Sequence, residues 1–393
     1  MSNNGVRPSV DALVPDAIAL RRDLHQHAEL SYEEHRTQKV ITERLRALGL
    51  DDVRAIAQTG VTAIVRGARP GPNLCWRADI DGLPLDEATG LPFASTNGAM
   101  HACGHDGHVA IALAMAELLQ RHRDALAGTV RFAFQPAEER IGGAKPMIEA
   151  GVLEGPHVDN VYGLHIMAHV PLGAVRVREG PVFAAGTHLR IIIRGRGGHA
   201  SAPHDTVDPI VVAGHAIVAL QTVVSRSIDP SETCVVTIGR IEGGKRGNII
   251  PNEVMMSGTI RTYSNAVQAR AIARMDDLLR GVCLAFGAEY EFDYSTLPAV
   301  VNDAGCAAVV ARAGEALLGA GRVTPEQITG SDDMAYFLEA RPGAYFMLGG
   351  GNAAKGITHP HHMPQFDFDE DCIPLGIELG LRIIEDATGS RLT

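Results

Sequence analysis

The sequence predicts a mixed α/β protein with a second, smaller α/β domain inserted into it. Three observations carry this reading. Short β-rich runs alternate with helical stretches over the first part of the chain. From Thr187 the rhythm changes to strand, helix, strand, strand, helix, strand. Near Pro298 that pattern ends and the first one resumes.

Residues 11–49 read as helical. Leu13, Ala17, Leu20 and Leu24, then Val40, Ile41, Leu45 and Leu48, recur at helical spacing, and Gly49 suits a stop. His25–Leu30 divides the stretch into two helices. Strands are expected at Val61–Val65, Leu74–Asp79, Thr129–Gln135 and Val158–His165, with a helix from His105 to Arg121. Strands separated by helices pair in parallel, and ligands gather at their carboxyl ends. Asp79 and Asp81, Glu138 and Glu139, and His165 all fall at or just after such ends.

The inserted domain reads as strand His188–Arg194, helix Asp208–Arg226, strands Cys234–Glu242 and Glu253–Arg261, helix Ala266–Gly287 and strand Ala288–Tyr294. This is the ferredoxin-like βαββαβ order. The expected division is 1–186 with 299–393 for the larger, metal-binding domain and 187–298 for the insertion.

Composition narrows the function. The chain has 393 residues, 46% apolar and 21% charged, which is ordinary for a globular protein. A formal charge of −11 argues against nucleic acid or an anionic membrane as partner, since both need a basic face. The longest apolar run is read as Val109–Leu119, too short to span a bilayer, so no transmembrane segment is expected. Met1–Val10 lacks a basic start followed by an apolar stretch, so the expected compartment is the cytoplasm. The six cysteines are far apart and suggest no disulfide framework.

The segment Met100–His108 holds Cys103, His105, His101 and His108, four metal-binding side chains within nine residues. Cys103 and His105 flank Gly104 just before a helix, where the dipole favours a thiolate. In isolation, a Cys-x-His would more often be a buried cysteine beside a capping turn. Glu138-Glu139 follows Gln135-Pro136-Ala137. Two adjacent carboxylates must be compensated; either they sit on a solvated acidic turn, or one ligates a cation while the other accepts a proton. His165 ends an apolar strand, a place where a core histidine is common. His359, His361 and His362 offer at least one further ligand. Asp79 and Asp81 could bind metal, but orienting ligand histidines is the preferred role. Gly195–His204 is a glycine-rich turn with two histidines and no nucleotide-binding pattern.

Together these residues resemble the M20 metallopeptidase family, most of all its amidohydrolase branch of hippurate hydrolases, N-acyl-amino-acid amidohydrolases and indole-acetyl-amino-acid hydrolases. The resemblance runs from Arg22–His27 and Glu29–Ser31 through Arg77–Pro84, Met100–His108, Phe134–Glu139 and Gly163–His165. It continues in Gly197–His204, Asn248–Pro251, Gly258–Arg261, Gly330–Phe337 and His362–Phe366. Cys-Gly-His-Asp-Gly-His with a downstream Pro-Ala-Glu-Glu is the most specific part. Departures are Ala28 where the family has Pro, Asp332 where it has Glu, and Ala168-His169 in place of a Pro-bearing stretch.

The resemblance implies a zinc-peptidase-like catalytic domain and an inserted lid and dimerisation domain. It implies Cys103, His105, Glu139, His165 and His362 as metal ligands and Glu138 as general base. His362 is preferred because it starts the His-x-Pro-x-Phe pattern. His199 is implied to reach a neighbouring subunit's site in a homodimer, with Asn248 and Arg261 holding a substrate carboxylate. Two divalent ions per subunit are expected, and such ligands suit Zn, Mn, Co or Ni. The expected reaction is hydrolysis of N-acyl amino acids, hippurate-like N-aroyl compounds included. The alternatives are a thiol hydrolase using Cys103, an aminopeptidase or dipeptidase, and a catalytically silent binding protein.

Overall fold

A computed structural model describes residues 7–392; the first six residues of the Met1–Val10 stretch and residue 393 lie outside it. The chain divides into two compact units. One holds the described residues up to Val182, Val301–Gln327 and those from Asp333; the other holds Phe183–Val300 and Ile328–Asp332.

The larger unit is built on an eight-stranded mixed sheet. Its strand order is Asp51–Ile56, Gly60–Arg66, Ala127–Gln135, Arg69–Asp79, Asn160–Pro171, Gly343–Gly351, Val175–Arg176 and Val323–Thr324. The central strands from Ala127–Gln135 to Gly343–Gly351 run parallel. The first two are antiparallel, because a short turn at Ala57–Thr59 joins them directly. Asp51–Ile56 is a strand that the sequence pattern did not indicate, since most of its residues are partly or wholly exposed.

Helix His105–Arg121 begins and ends where expected. It is buried nearly all round, packing with helices Arg7–Gln26 and Cys372–Thr388 against the sheet. The register sets the site: Asp79 pairs with Gln135, and Arg77 pairs with Gly163, two residues before His165. Asp79 and the Glu138 turn therefore sit at carboxyl ends on one edge of the sheet, and His165, expected to end its strand, lies midway along Asn160–Pro171, which runs on past it.

The smaller unit has a four-stranded antiparallel sheet in the order Cys234–Gly243, Glu253–Thr262, Ala185–Arg194, Glu289–Leu297. In chain order this is 2-3-1-4, the ferredoxin-like arrangement. Helices Pro209–Thr222 and Asn265–Phe286 place Val212, Ala216, Leu220, Met275 and Leu279 on Leu189, Ile191, Ile193 and Met256. Ile328–Asp332, expected with the larger domain, groups here because Ala184 N–H donates to Gly330 O at 2.8 Å and Phe183 bridges to Ile328.

The longest apolar stretch lies elsewhere than expected. Pro209–Ser227 spans 19 residues at mean hydropathy 1.4, long and apolar enough by length and composition to cross a membrane. Gly214, His215 and Gln221 interrupt the run, which is why the shorter Val109–Leu119 reads as the longest. One side of this helix lies in the core of the smaller unit, and only 28% of it is buried.

Candidate metal centre

Gly104 makes the local geometry possible. It sits at φ +85° ahead of the helix, a conformation that costs glycine little. The turn it forms delivers Cys103 and His105 to the same place.

Each histidine has one nitrogen committed. His105 Nδ1 donates to the Asp81 carbonyl at 2.9 Å. His165 Nδ1 donates to the Ile166 carbonyl at 2.8 Å. In the neutral ring, each therefore keeps Nε2 as the nitrogen with a lone pair. His165 Nε2 lies 3.4 Å from Cys103 Sγ. His105 Nε2 and Glu139 Oε1 are buried without hydrogen-bond partners, 3.9 Å apart. His362 Nε2 approaches the same Glu139 oxygen at 3.3 Å. His362 has φ +63°, and its N–H donates to Ala102 O at 2.9 Å, tying its loop to the Cys103 segment.

Two potential ligand groups share the cysteine: Cys103, His105 and His165, and Cys103, Glu139 and His362. In each, the candidate atoms lie within 4.8 Å of one another. Two buried orphan atoms, an imidazole nitrogen and a carboxylate oxygen, beside a thiol common to both groups, fit a divalent cation.

The other histidines of the cluster have different places. His108 Nδ1 lies 2.5 Å from Asp79 Oδ1, and its Nε2 accepts the Ile166 N–H at 2.9 Å, so both nitrogens are used. His361 Nε2 donates to the Ile166 carbonyl at 2.9 Å. His101 is buried, and neither ring nitrogen has a partner. Burial pushes it down to about 4 despite Asp106.

Charge favours a cation here. Burial opposes a charged His105, but Asp79 and Asp81 push it up to about 10. Burial also opposes the ionisation of Asp79, yet Arg77, His105 and His108 hold it well below the usual carboxylate range. Burial, then His108 and His361, keep His165 neutral, which a metal ligand must be.

The turn Ala137–Gly143 is pinned by carboxylates. Asp81 accepts from the N–H groups of Glu138 and Glu139, both at 3.1 Å, and from Ser31 Oγ at 2.6 Å. Asp79 and Asp81 thus support the groups around them. Asp333 accepts from Ala144 N–H at 3.1 Å, Gln135 Nε2 at 2.7 Å and Arg77 at 3.0 Å. Asp333 was not singled out from the sequence; its signal was only its place in the Gly330–Phe337 stretch. Glu34, which accepts from Ala137 N–H at 2.9 Å, gave no signal.

His199, Asn248 and Arg261 belong to the smaller unit. His199 is exposed and pairs with Ile249 in a short ladder. Its Nδ1 accepts from Ser201 N–H at 3.1 Å, so the neutral ring carries its proton on Nε2. The Arg261 guanidinium is half-buried, and burial lowers its pKa. It donates to the Ile260 carbonyl at 3.2 Å. Asn248 is exposed, and its carbonyl accepts from Ala200 N–H at 3.2 Å.

Comparison with known proteins identifies the family. Residues 75–386 match the model of peptidase family M20/M25/M40. The chain is 40% identical over 365 residues to thermostable carboxypeptidase 1 of Saccharolobus solfataricus, covering 91% of this chain and 92% of that protein. It is 40% identical over 376 residues to an N-acetylcysteine deacetylase of Bacillus subtilis, covering 94% and 97%. Among solved structures it is similar to the Bacillus subtilis YxeP protein, described as a dinuclear metal-binding peptidase of family M20. That match has a TM-score of 0.82 and 36% identity, and covers 95% of this chain and 98% of the other. The chain belongs to peptidase family M20/M25/M40.

Proposed function

We propose that this member of peptidase family M20/M25/M40 is a metal-dependent amidohydrolase that releases an amino acid from its N-acyl derivative. The observation that carries the reading is the pair of buried, unpartnered atoms on His105 and Glu139, beside a cysteine common to two ligand groups. Cys103, His105 and His165 would hold one divalent ion and Cys103, Glu139 and His362 a second. Zn, Mn, Co and Ni all suit this donor set. Such ions polarise a carbonyl and acidify water.

Glu138, next to the ligand Glu139, takes the proton of the attacking water and passes it to the leaving amine. Asp81 holds the backbone N–H of Glu138 and so sets where that carboxylate starts. In a homodimer the partner's His199 donates from Nε2 to the oxyanion. Exposed Val211 and Val218, with Leu284 and Phe286, give the smaller unit an apolar face suited to such a dimer. Arg261, with Asn248, would hold the substrate carboxylate. None of the six cysteines forms a disulfide, which suits the reducing cytoplasm.

The carboxypeptidase and deacetylase names of the relatives describe one bond. The last residue of a peptide is itself an N-acylated amino acid, so the two activities differ in the acyl group alone. Hippurate-like N-aroyl amino acids fall in the same class.

The test is a hydrolysis panel of N-acyl amino acids and unblocked dipeptides, run on chelated protein with each metal added back. Turnover of N-acyl amino acids that vanishes on chelation and returns with metal is expected. The 3.4 Å contact between Cys103 and His165 favours a second reading, a thiol hydrolase. Activity that survives chelation would establish it instead.

A further inference from the structure

The turn carrying Glu138 starts from a backbone conformation that its sequence disfavours. Ala137 has φ +51° and ψ 39°. For an L-residue this brings Cβ against the following carbonyl, so the surroundings must hold it there. Ile141, which closes the turn, has φ +54°.

Glu34 is the side chain placed to hold Ala137. It lies just before helix His35–Ala47 and is 0% exposed. Its Oε1 accepts the Ala137 N–H at 2.9 Å, and its Oε2 accepts the Thr59 hydroxyl. Asp81 takes the next two N–H groups, so carboxylates secure three successive amides. Burial raises the Glu34 pKa, against the pull of its hydrogen bonds to Thr59 and Ala137. A buried carboxylate is expensive where an apolar side chain could fill the space. Glu34 belongs to none of the potential ligand groups, so metal binding does not explain it.

We propose that Glu34 is a positioning residue for Glu138, fixing the peptide before Ala137 so that the base reaches the attacking water. The role rests on Glu138 being the general base. A displacement of about 1 Å in such a group costs on the order of 10²-fold in rate.

The test compares Glu34→Ala, Glu34→Gln and Glu34→Ala with Ala137→Gly, each checked for metal content and folded fraction. The assay uses the best N-acyl amino acid of the panel. Glu34→Ala should lower kcat about 10²-fold with KM within about threefold and metal content unchanged. Glu34→Gln keeps an acceptor oxygen and should restore most of kcat. Ala137→Gly should recover about tenfold in the Glu34→Ala background, because glycine accepts a positive φ without a clamp. A kcat per folded, metal-loaded molecule that Glu34→Ala leaves unchanged, or that Ala137→Gly does not improve, overturns the proposal.

If Glu34→Ala does not fold, Thr59→Val decides. A kcat about threefold to tenfold lower at constant KM supports the proposal, and an unchanged kcat overturns it. Glu138→Gln run in parallel separates the two readings. Full turnover there removes the base assignment and this role with it. An inactive Glu138→Gln beside a normal Glu34→Ala removes the positioning role alone.

Discussion

His105 Nε2 and Glu139 Oε1 face each other across 3.9 Å, both buried and both without a hydrogen bond. Buried polar atoms are nearly always paired, so two orphans this close are candidate ligands for a cation. His105 comes from a helix start and Glu139 from a turn after a strand, and only the fold brings them together.

Cys103 belongs to two potential ligand groups and His362 to one of them. His362→Ala is therefore expected to lose about one equivalent of metal, and Cys103→Ala to weaken both sites. Metal analysis after gel filtration checks this. Equal losses in the two variants would contradict a shared thiolate.

Glu138 lies beside a candidate ligand, and the proposed scheme gives it the proton transfer. Glu138→Gln should keep its metal and lose about 10²–10⁴-fold in kcat, the usual contribution of a general base. Turnover measured alongside metal content tests the assignment.

Gly143 has no room for a side chain: a Cβ there would meet Pro136 O at 1.6 Å. The obstacle is backbone, which cannot swing aside. Gly143→Ala should cost on the order of 1–3 kcal/mol and distort the Glu138 turn, so that kcat falls in the protein that still folds. Thermal unfolding and kinetics on the same sample check both.

His25 sits behind the site, with Nδ1 2.9 Å from Asp106 and Nε2 3.2 Å from Glu87. Arg21 and the ring of His101 face it too. Burial opposes its charge, but the two carboxylates win and push it up to about 9. A raised folded pKa stabilises fully below the unfolded value near 6.5 and loses its effect as pH rises through about 9. The Tm gap between the wild type and His25→Gln should therefore narrow between those limits. A gap that is constant or widens would contradict a charged His25.

The apolar face of the smaller unit offers a physical test of assembly. Val218 is 71% exposed and Leu284 80% exposed, large values for side chains that gain by burial. Val218→Asp with Leu284→Asp should convert a dimer to monomer in sedimentation velocity. Removing the partner's His199 in this way should also lower kcat of the folded monomer.

Much of the fold was legible because periodicity is local. The helix from His105 to Arg121 shows in its spacing and in the turn before it. Pro209–Ser227 was legible as a helix, but its polar interruptions hid how apolar it is on average. Strand Asp51–Ile56 escaped because an edge strand with little buried surface has no alternation to show.

The site divides in the same way. By itself the sequence determined which residues could bind metal, since thiol, imidazole and carboxylate chemistry is a property of each side chain. It also placed Asp79, Glu138 and Glu139 at or just after the ends of strands, whereas His165, read as a strand end, lies midway along Asn160–Pro171. Tertiary structure alone decided which nitrogens are spoken for: one each on His105 and His165, and both on His108. It alone showed that Glu34, Asp81 and Asp333 secure the turn of Glu138 from distant parts of the chain. The reason is physical. A hydrogen bond is a matter of ångströms and angles between groups far apart in sequence, and no local pattern records it.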